Sequence, residues 1–397
     1  MKRRNFIVNF IAGAILFAFG FLTGTAKAST GPSKRSPADD TEVRFITSNQ
    51  TFLIPSDYAT LQEAIDDLAA KIIAKNVMIE LKIEKDHRPS TGITIENTDC
   101  SQFKITSDSI VRVADDFSGH FIKGIHSHLP ILAAKIDMRN RGEDGYHVSK
   151  GSRGFVLNNC GIRRAKGRGL YVNESSSVEA RGSEFIGCHN RNVWITRAST
   201  LSAELANFSG NAGGENAVYV SRGSTANILE ANVSNAFQNG IGVIRSIVNC
   251  ESVNVSNAGL TGLVVQRGSR IAGEFMNATG CGRNGIRIET GSNGTVRGSN
   301  VSKASEIGLF VREACHVDAS ELVATHCGAE GLQVIESSIL NARMVISTNN
   351  NGLDINVQSG SSINANQANT TKGTPGVQDC GVKAFNTIDG ANGIIYA

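Results

Sequence analysis

The 397-residue sequence has little of what builds most domains: one tryptophan, six prolines, 6% aromatic and 19% charged residues. Its 42 glycines count against helix, because each costs a helix interior about 1 kcal/mol. An apolar content of 40% permits a sizeable core, so neither a collagen-like nor a wholly disordered chain fits. The formal charge is +3, and Lys2, Arg3, Arg4 and Lys27 lie in a first 28 residues that hold no acid, so the remainder carries −1. Without a global basic field, no nucleic-acid partner is implied. No phosphate-binding glycine loop or dinucleotide fingerprint stands between a strand and a helix, and no cofactor is implied. His120, His126 and His128 have no cysteine or carboxylate at ligand spacing, so no metal site is expected there.

The first 28 residues read as an export signal. Lys2-Arg3-Arg4 precedes an apolar stretch from Phe6 to Leu22, and Ala26-Lys27-Ala28 follows as a small-x-small cleavage pattern. Arg3-Arg4-Asn5-Phe6-Ile7 resembles a twin-arginine signal. The apolar run is at the short end of what crosses a bilayer, which favours cleavage over a stable membrane anchor and places the mature chain in the periplasm, outside the cell or on a virion tail. Residues 29–42 read as a flexible linker. Thr60-Leu61-Gln62-Glu63 is a capping box opening a helix to about Ile73, and Val77 to Glu84 alternates as a strand. Residues 43–95 are therefore assigned to a capping helix and first strands, and 96–397 to the repeats.

Self-similarity decides the architecture. A four-residue unit, small or turn residue, apolar, variable, apolar, runs from Gly145-Tyr146-His147-Val148 to Gly352-Leu353-Asp354-Ile355, at intervals of 21 to 25 residues. Each unit alternates with period two and predicts a short strand. The connecting segments are rich in Asn, Ser, Gly and Val and lack helical periodicity. The expected fold is all-β: a single-stranded, right-handed parallel β-helix of about 23 residues per coil with an N-terminal capping helix. Two further columns fit this register. Asn207, Asn232, Asn254, Asn277 and Asn300 read as an asparagine ladder inside the turns. Ala165, Cys188, Gly213, Ala236, Ala258, Cys281, Ala304, Cys327 and Thr348 read as small core residues. Cys281 and Cys327 fall two coils apart, beyond the roughly 7 Å limit of a disulfide. Most of the eight cysteines are thus expected to be small buried hydrophobes.

The helix followed by coils, with phrases such as Gly223-Ser224-Thr225-Ala226-Asn227 and Gly360-Ser361-Ser362-Ile363-Asn364-Ala365-Asn366, resembles the pectate-lyase-like β-helix superfamily. In repeat style it is most similar to phage and prophage tailspike or tail-appendage proteins. The resemblance implies recognition, and sometimes cleavage, of a polysaccharide. The polygalacturonase pattern does not carry over. Asn97-Thr98-Asp99 resembles its first motif, but Asp115-Asp116 and Gly119-His120-Phe121 fall in one coil, and Arg287-Ile288-Glu289 has Glu where the family needs Lys.

The third residue of each unit is expected to face outward, so Tyr171, Trp194 and Tyr219 become vertical neighbours able to stack on sugar rings. Arg197, Arg222, Arg245 and Arg267 form a second column suited to carboxylates. Together they suggest a groove for an acidic glycan; the bland alternative is covered rings and a solvated turn row. Glu143, Asp144 and Glu174 are candidates for a hydrolase carboxyl pair. His147, Arg168 and Tyr171 are candidates for eliminative cleavage of a uronate, making His147 the fourth catalytic candidate beside the three acids. Three functions stay open: a lyase or glycoside hydrolase, a non-catalytic glycan-binding appendage, and a structural surface protein. The apolar strand-like Gly393-Ile394-Ile395-Tyr396-Ala397 suggests an end buried against other copies in a homotrimer. Sedimentation at micromolar concentration should then return a trimer, and a monomer overturns that assembly.

Overall fold

The computed structural model describes residues 45–370 and the strand Ile394–Tyr396. The expected export signal and linker, Cys380 and most of the expected C-terminal interface lie outside the described residues. What is described is a right-handed solenoid in which every strand pair is parallel. Three faces alternate around each coil. The first face is a sheet of twelve stacked strands from Thr91–Glu96 to Ile355–Val357, and the second a sheet of fifteen from Gln50–Ile54 to Ile394–Tyr396. The third face is made of short strands and single bridges, from Val111–Arg112 to Asn369–Thr370.

The repeat unit forms the first face because its two apolar positions point into the coil. Leu170 with Val172, Val193 with Ile195 and Leu263 with Val265 are fully buried, as are their counterparts in neighbouring coils. Their stacked rows join one continuous core with Val178, Leu201 and Val248 from the second face and Ile162, Phe185 and Phe208 from the third. The glycine that opens many units has a packing reason: a Cβ on Gly262 would stand 2.7 Å from the Gly285 carbonyl of the next coil and 3.0 Å from Val255 Cγ2. Coils therefore approach more closely there than a side chain permits.

Corners between faces are held by side-chain ladders. Asn232 Nδ2 donates to Asn207 Oδ1 at 3.4 Å, and Asn277 Nδ2 to Asn254 Oδ1 at 3.2 Å. Each Oδ1 also accepts the backbone N–H two residues on, as at Ser234 and Ser256. The ladder exists, but not inside the turns: Asn277 and Asn300 are exposed. A buried ladder was missed. Between the first and second faces the N–H of Ser199 donates to Ser224 Oγ at 3.2 Å, Ser224 to Ser246 at 3.3 Å and Ser269 to Ser292 at 3.2 Å. These bonds satisfy donors that the turn would leave buried and unpaired.

Two local expectations need correction. The helix is Leu61–Ala69, not a run to Ile73, because Ile72–Ile73 pairs with Phe45–Ile46 as a strand. Thr60 caps it as expected, accepting the Glu63 N–H at 3.1 Å. Its apolar side packs into the core through Leu61, Ala64, Ile65 and Leu68, and Gln62 Oε1 accepts the Thr94 N–H of the edge strand at 2.7 Å. The helix thus blunts an edge that would otherwise recruit strands. In the final coil the unit is shifted by two residues, since Gln333 is in register with Asn356. Asp354 is therefore fully buried at the glycine position, accepting from Asn350 Nδ2 at 2.8 Å, and does not face outward. The seven described cysteines are free thiols, and six are buried. Burial pushes Cys100, Cys188 and Cys250 up to about 12.

Replacing Gly262 by Ala should lower stability by about 1–3 kcal/mol through overpacking between coils. An unchanged urea midpoint would show that the coils have room for a Cβ.

Candidate functional site

The outer side of the first face carries one unbroken column. Lys123 is in register with His147, His147 with Tyr171, Tyr171 with Trp194 and Trp194 with Tyr219. Because adjacent coils are one strand spacing apart, the rings touch: His147 to Tyr171 4.7 Å between centroids, Tyr171 to Trp194 5.1 Å, Trp194 to Tyr219 5.9 Å. All four rings are half-buried, so part of each remains open to solvent.

A second row, three residues before the rings, supplies the charge. Arg168 and Arg191 are register partners. The Arg168 guanidinium lies 3.6 Å from the Tyr171 centroid, and that of Arg191 lies 4.9 Å from Trp194 and 5.0 Å from Tyr219. The two arginines differ in compensation. Arg168 grips Asp144 with both ends of its fork, Nε to Oδ1 at 2.6 Å and Nη2 to Oδ2 at 2.8 Å. Arg191 makes no ion pair among the described residues; its Nη1 donates to the Asn190 amide oxygen at 3.0 Å, and its Nε is buried without a partner. Burial lowers its pKa, although the more distant Glu215 opposes this. A half-buried guanidinium without a counter-ion is costly unless an anion arrives.

Asp144 is the hub at the other end of the ring column. Its side chain is 1% exposed and stands 3.3 Å from His147 Nδ1 and 3.5 Å from His120 Nδ1. His120 Nδ1 accepts the Asp144 backbone N–H at 3.2 Å, and its Nε2 faces Glu143 at 3.2 Å. Burial lowers the pKa of His120 despite these acids. The His147 Nδ1 contact with Asp144 is close, yet short of good hydrogen-bond geometry, and that nitrogen is inaccessible to water. Nε2 is left as the nitrogen for a ligand. Burial works to raise the Asp144 pKa, but the close His147 ring and the bonds from Arg168 win and hold it down at about 2.

The remaining sequence candidates lie elsewhere. Glu143 sits beside His120, whereas Glu174 follows the next strand of the same face, Arg168–Val172, and pairs with Arg197 at 2.6 Å. Glu143 accepts the Gly167 N–H at 2.7 Å, before that strand begins. The intervening strand spans roughly 16 Å, which exceeds the roughly 6.5–9.5 Å of an inverting pair. Arg197, Arg222, Arg245 and Arg267 occupy the corner between the first and second faces, all with left-handed backbone at φ 55°, 56°, 51° and 57°. Their side chains are exposed, and only Arg197 has an ion-pair partner among the described residues. Arg191 was missed, as was the joining of His120 to the candidates Asp144 and His147. The signal for Arg191 was its offset, identical to that of Arg168 from Tyr171. For His120 the carboxylate partner comes from the next coil, so spacing within one coil could not show it. His120, Asp144 and His147 offer donor atoms within 4.8 Å of one another. Arg168 already occupies both Asp144 oxygens, and its charge opposes a cation there. Concavities of about 480 and 510 Å³ flank Phe155 on the second face, away from the rings.

Among the described residues no helix is long and apolar enough to cross a membrane. No family model matches the chain, and no curated protein matches its sequence. Similar solved structures include a mutant of the periplasmic alginate epimerase AlgG, with a TM-score of 0.50 and 12% identity over 82% of this chain and 85% of that one. The A-modules of two Azotobacter vinelandii mannuronan C-5 epimerases match less well. AlgE6 has a TM-score of 0.45 at 13% identity over 81% of this chain and 93% of that one; AlgE4 has 0.43 at 12% over 80% and 94%.

Asp144 also sets an acid limb. Its folded pKa lies below the ordinary value near 3.8, so its stabilisation, about 2 kcal/mol, is present above pH 4 and lost as pH falls towards 2. The stability gap between the wild type and Asp144→Asn should narrow across that window, and a constant gap in denaturant titrations would refute the assignment. With this geometry established, the chain is a right-handed parallel β-helix of the pectate-lyase-like fold.

Proposed function

We propose that this β-helix protein is exported and acts on an acidic polysaccharide laid against the outer side of its first face. The observation that carries the reading is Arg191: a half-buried guanidinium with no ion-pair partner among the described residues, set against Trp194 and Tyr219. A uronate supplies both missing partners, an apolar ring face for the aromatics and a carboxylate for the arginine. The neighbour AlgG, which shares the fold, epimerises alginate, itself an acidic polysaccharide. The leader read in residues 1–28 agrees with a substrate outside the cytoplasm.

The chemistry this arrangement favours is proton transfer at the carbon next to the uronate carboxylate. His147 is the base through Nε2, with the Asp144 carboxylate 3.3 Å from its other nitrogen. Arg191, two coils beyond His147, binds the carboxylate of a sugar further along the chain and so holds the reacting sugar in register over the base. The resulting enolate either expels the 4-linked sugar, whose oxygen takes up the proton that His147 removed, giving an unsaturated end, or takes a proton from water on the opposite face while His147 returns its own to solvent. Hydrolysis is disfavoured: Asp144 is ionised, gripped and buried, and Glu174 lies too far along the coil to pair with Glu143. The exposed Arg197, Arg222, Arg245 and Arg267 serve as a secondary attractive rim for the polyanion.

The test is a panel of alginate, polygalacturonate and neutral glucans. Binding should be confined to the acidic members and fall about tenfold in Trp194→Ala and in Arg191→Gln. His147→Ala should still bind the acidic members yet form neither ultraviolet-absorbing unsaturated ends nor epimerised residues. Binding without either product in the wild type would reduce the protein to an adhesin, as in a tail appendage. No binding to any acidic glycan would remove the function altogether.

A further inference from the structure

The ring column has a second uncompensated cation. Lys123 is half-buried and in register with His147 one coil earlier, and it has no ion-pair partner among the described residues. Arg191 belongs to the coil of Trp194, two coils beyond His147. The two free cations are therefore three coil steps apart, about 14 Å, with His147 between them. The acids nearby do not neutralise them. Asp144 is taken by Arg168, Glu143 faces His120, and Glu215 is exposed and forms no ion pair among the described residues. Beyond Tyr219 the column dips to Gly242, where a Cβ would meet Asn216 Oδ1 at 2.5 Å, before Val264, Arg287 and Phe310 continue it. Before Lys123 it holds only Thr94.

Five consecutive coils thus present Lys123, His147, Tyr171, Trp194 and Tyr219, and the ring centroids advance by 4.7, 5.1 and 5.9 Å. A (1→4)-linked pyranose advances by about the same step, roughly 5 Å, which is also one strand spacing. The positions that flank the row, Thr94 and Gly242, carry a short side chain and none, which leaves room for a polymer to run on at both ends. We infer that the face takes an internal five-sugar stretch of a (1→4)-linked polyuronate, one sugar per coil along the solenoid axis, with Lys123 and Arg191 each binding a carboxylate on either side of His147. This rests on the proposed acidic-polysaccharide function and adds to it the direction, length and internal position of the bound chain.

The experiment is calorimetric titration of the full chain with β-(1→4)-oligomannuronates from the dimer to the hexamer. Affinity should climb to the pentamer and then level. Lys123→Gln should weaken the pentamer about tenfold and the trimer hardly at all, while Lys123→Arg restores the pentamer. Levelling at the trimer, or a pentamer bound equally by Lys123→Gln and wild type, overturns the five-sugar alignment. Trp194→Ala separates the two ideas. If it weakens every length while Lys123→Gln weakens none, the face binds glycan but not in this alignment. If no oligomer binds at all, both fall.

Discussion

Parallel hydrogen bonding between successive coils is the constraint from which everything else in this protein follows. A parallel ladder fixes each residue against its counterpart one coil away, so a preference stated once in the sequence is repeated as a column in space. Apolar positions become a continuous core, serines a buried ladder and aromatic residues a touching stack. The same constraint excludes variation. At Gly262 the neighbouring carbonyl stands where a side chain would be, and a coil that departs from the repeat must compensate locally, as Asp354 does through Asn350.

The candidate site is built where the columns stop being uniform. His147, Tyr171, Trp194 and Tyr219 share an outward position, but Arg168 and Arg191, one row away, have different electrostatic fates. Asp144 sits deep enough that its charge survives only through Arg168 and His147, and this binds one arginine into the scaffold. Among the described residues no equivalent acid pairs with Arg191. A single carboxylate, present in one coil and missing from the next, therefore separates a structural guanidinium from one available to a ligand.

Much of the fold was legible in advance because its rule is one-dimensional. Two dozen residues of spacing and period-two alternation suffice to place Tyr171 against Trp194, and the structure has them in register. The helix was legible from Thr60 and Glu63, though its end was not, because pairing of Ile72–Ile73 with Phe45–Ile46 overrides local helical preference. The register slip at Asp354 was hidden because Leu353 and Ile355 imitate the repeat. The serine ladder was hidden because serine also suits any exposed turn.

By itself, the sequence determined the solenoid, its coil length, its core columns and the outward aromatic run, since strand pairing at a constant period turns spacing directly into adjacency. Only the tertiary structure decided which charges are spent and which remain free. Compensation depends on distance and burial in three dimensions. His120 and Asp144 come from different coils, and Arg191 and Arg222, both written simply as arginine, end up half-buried against indole and exposed at a corner.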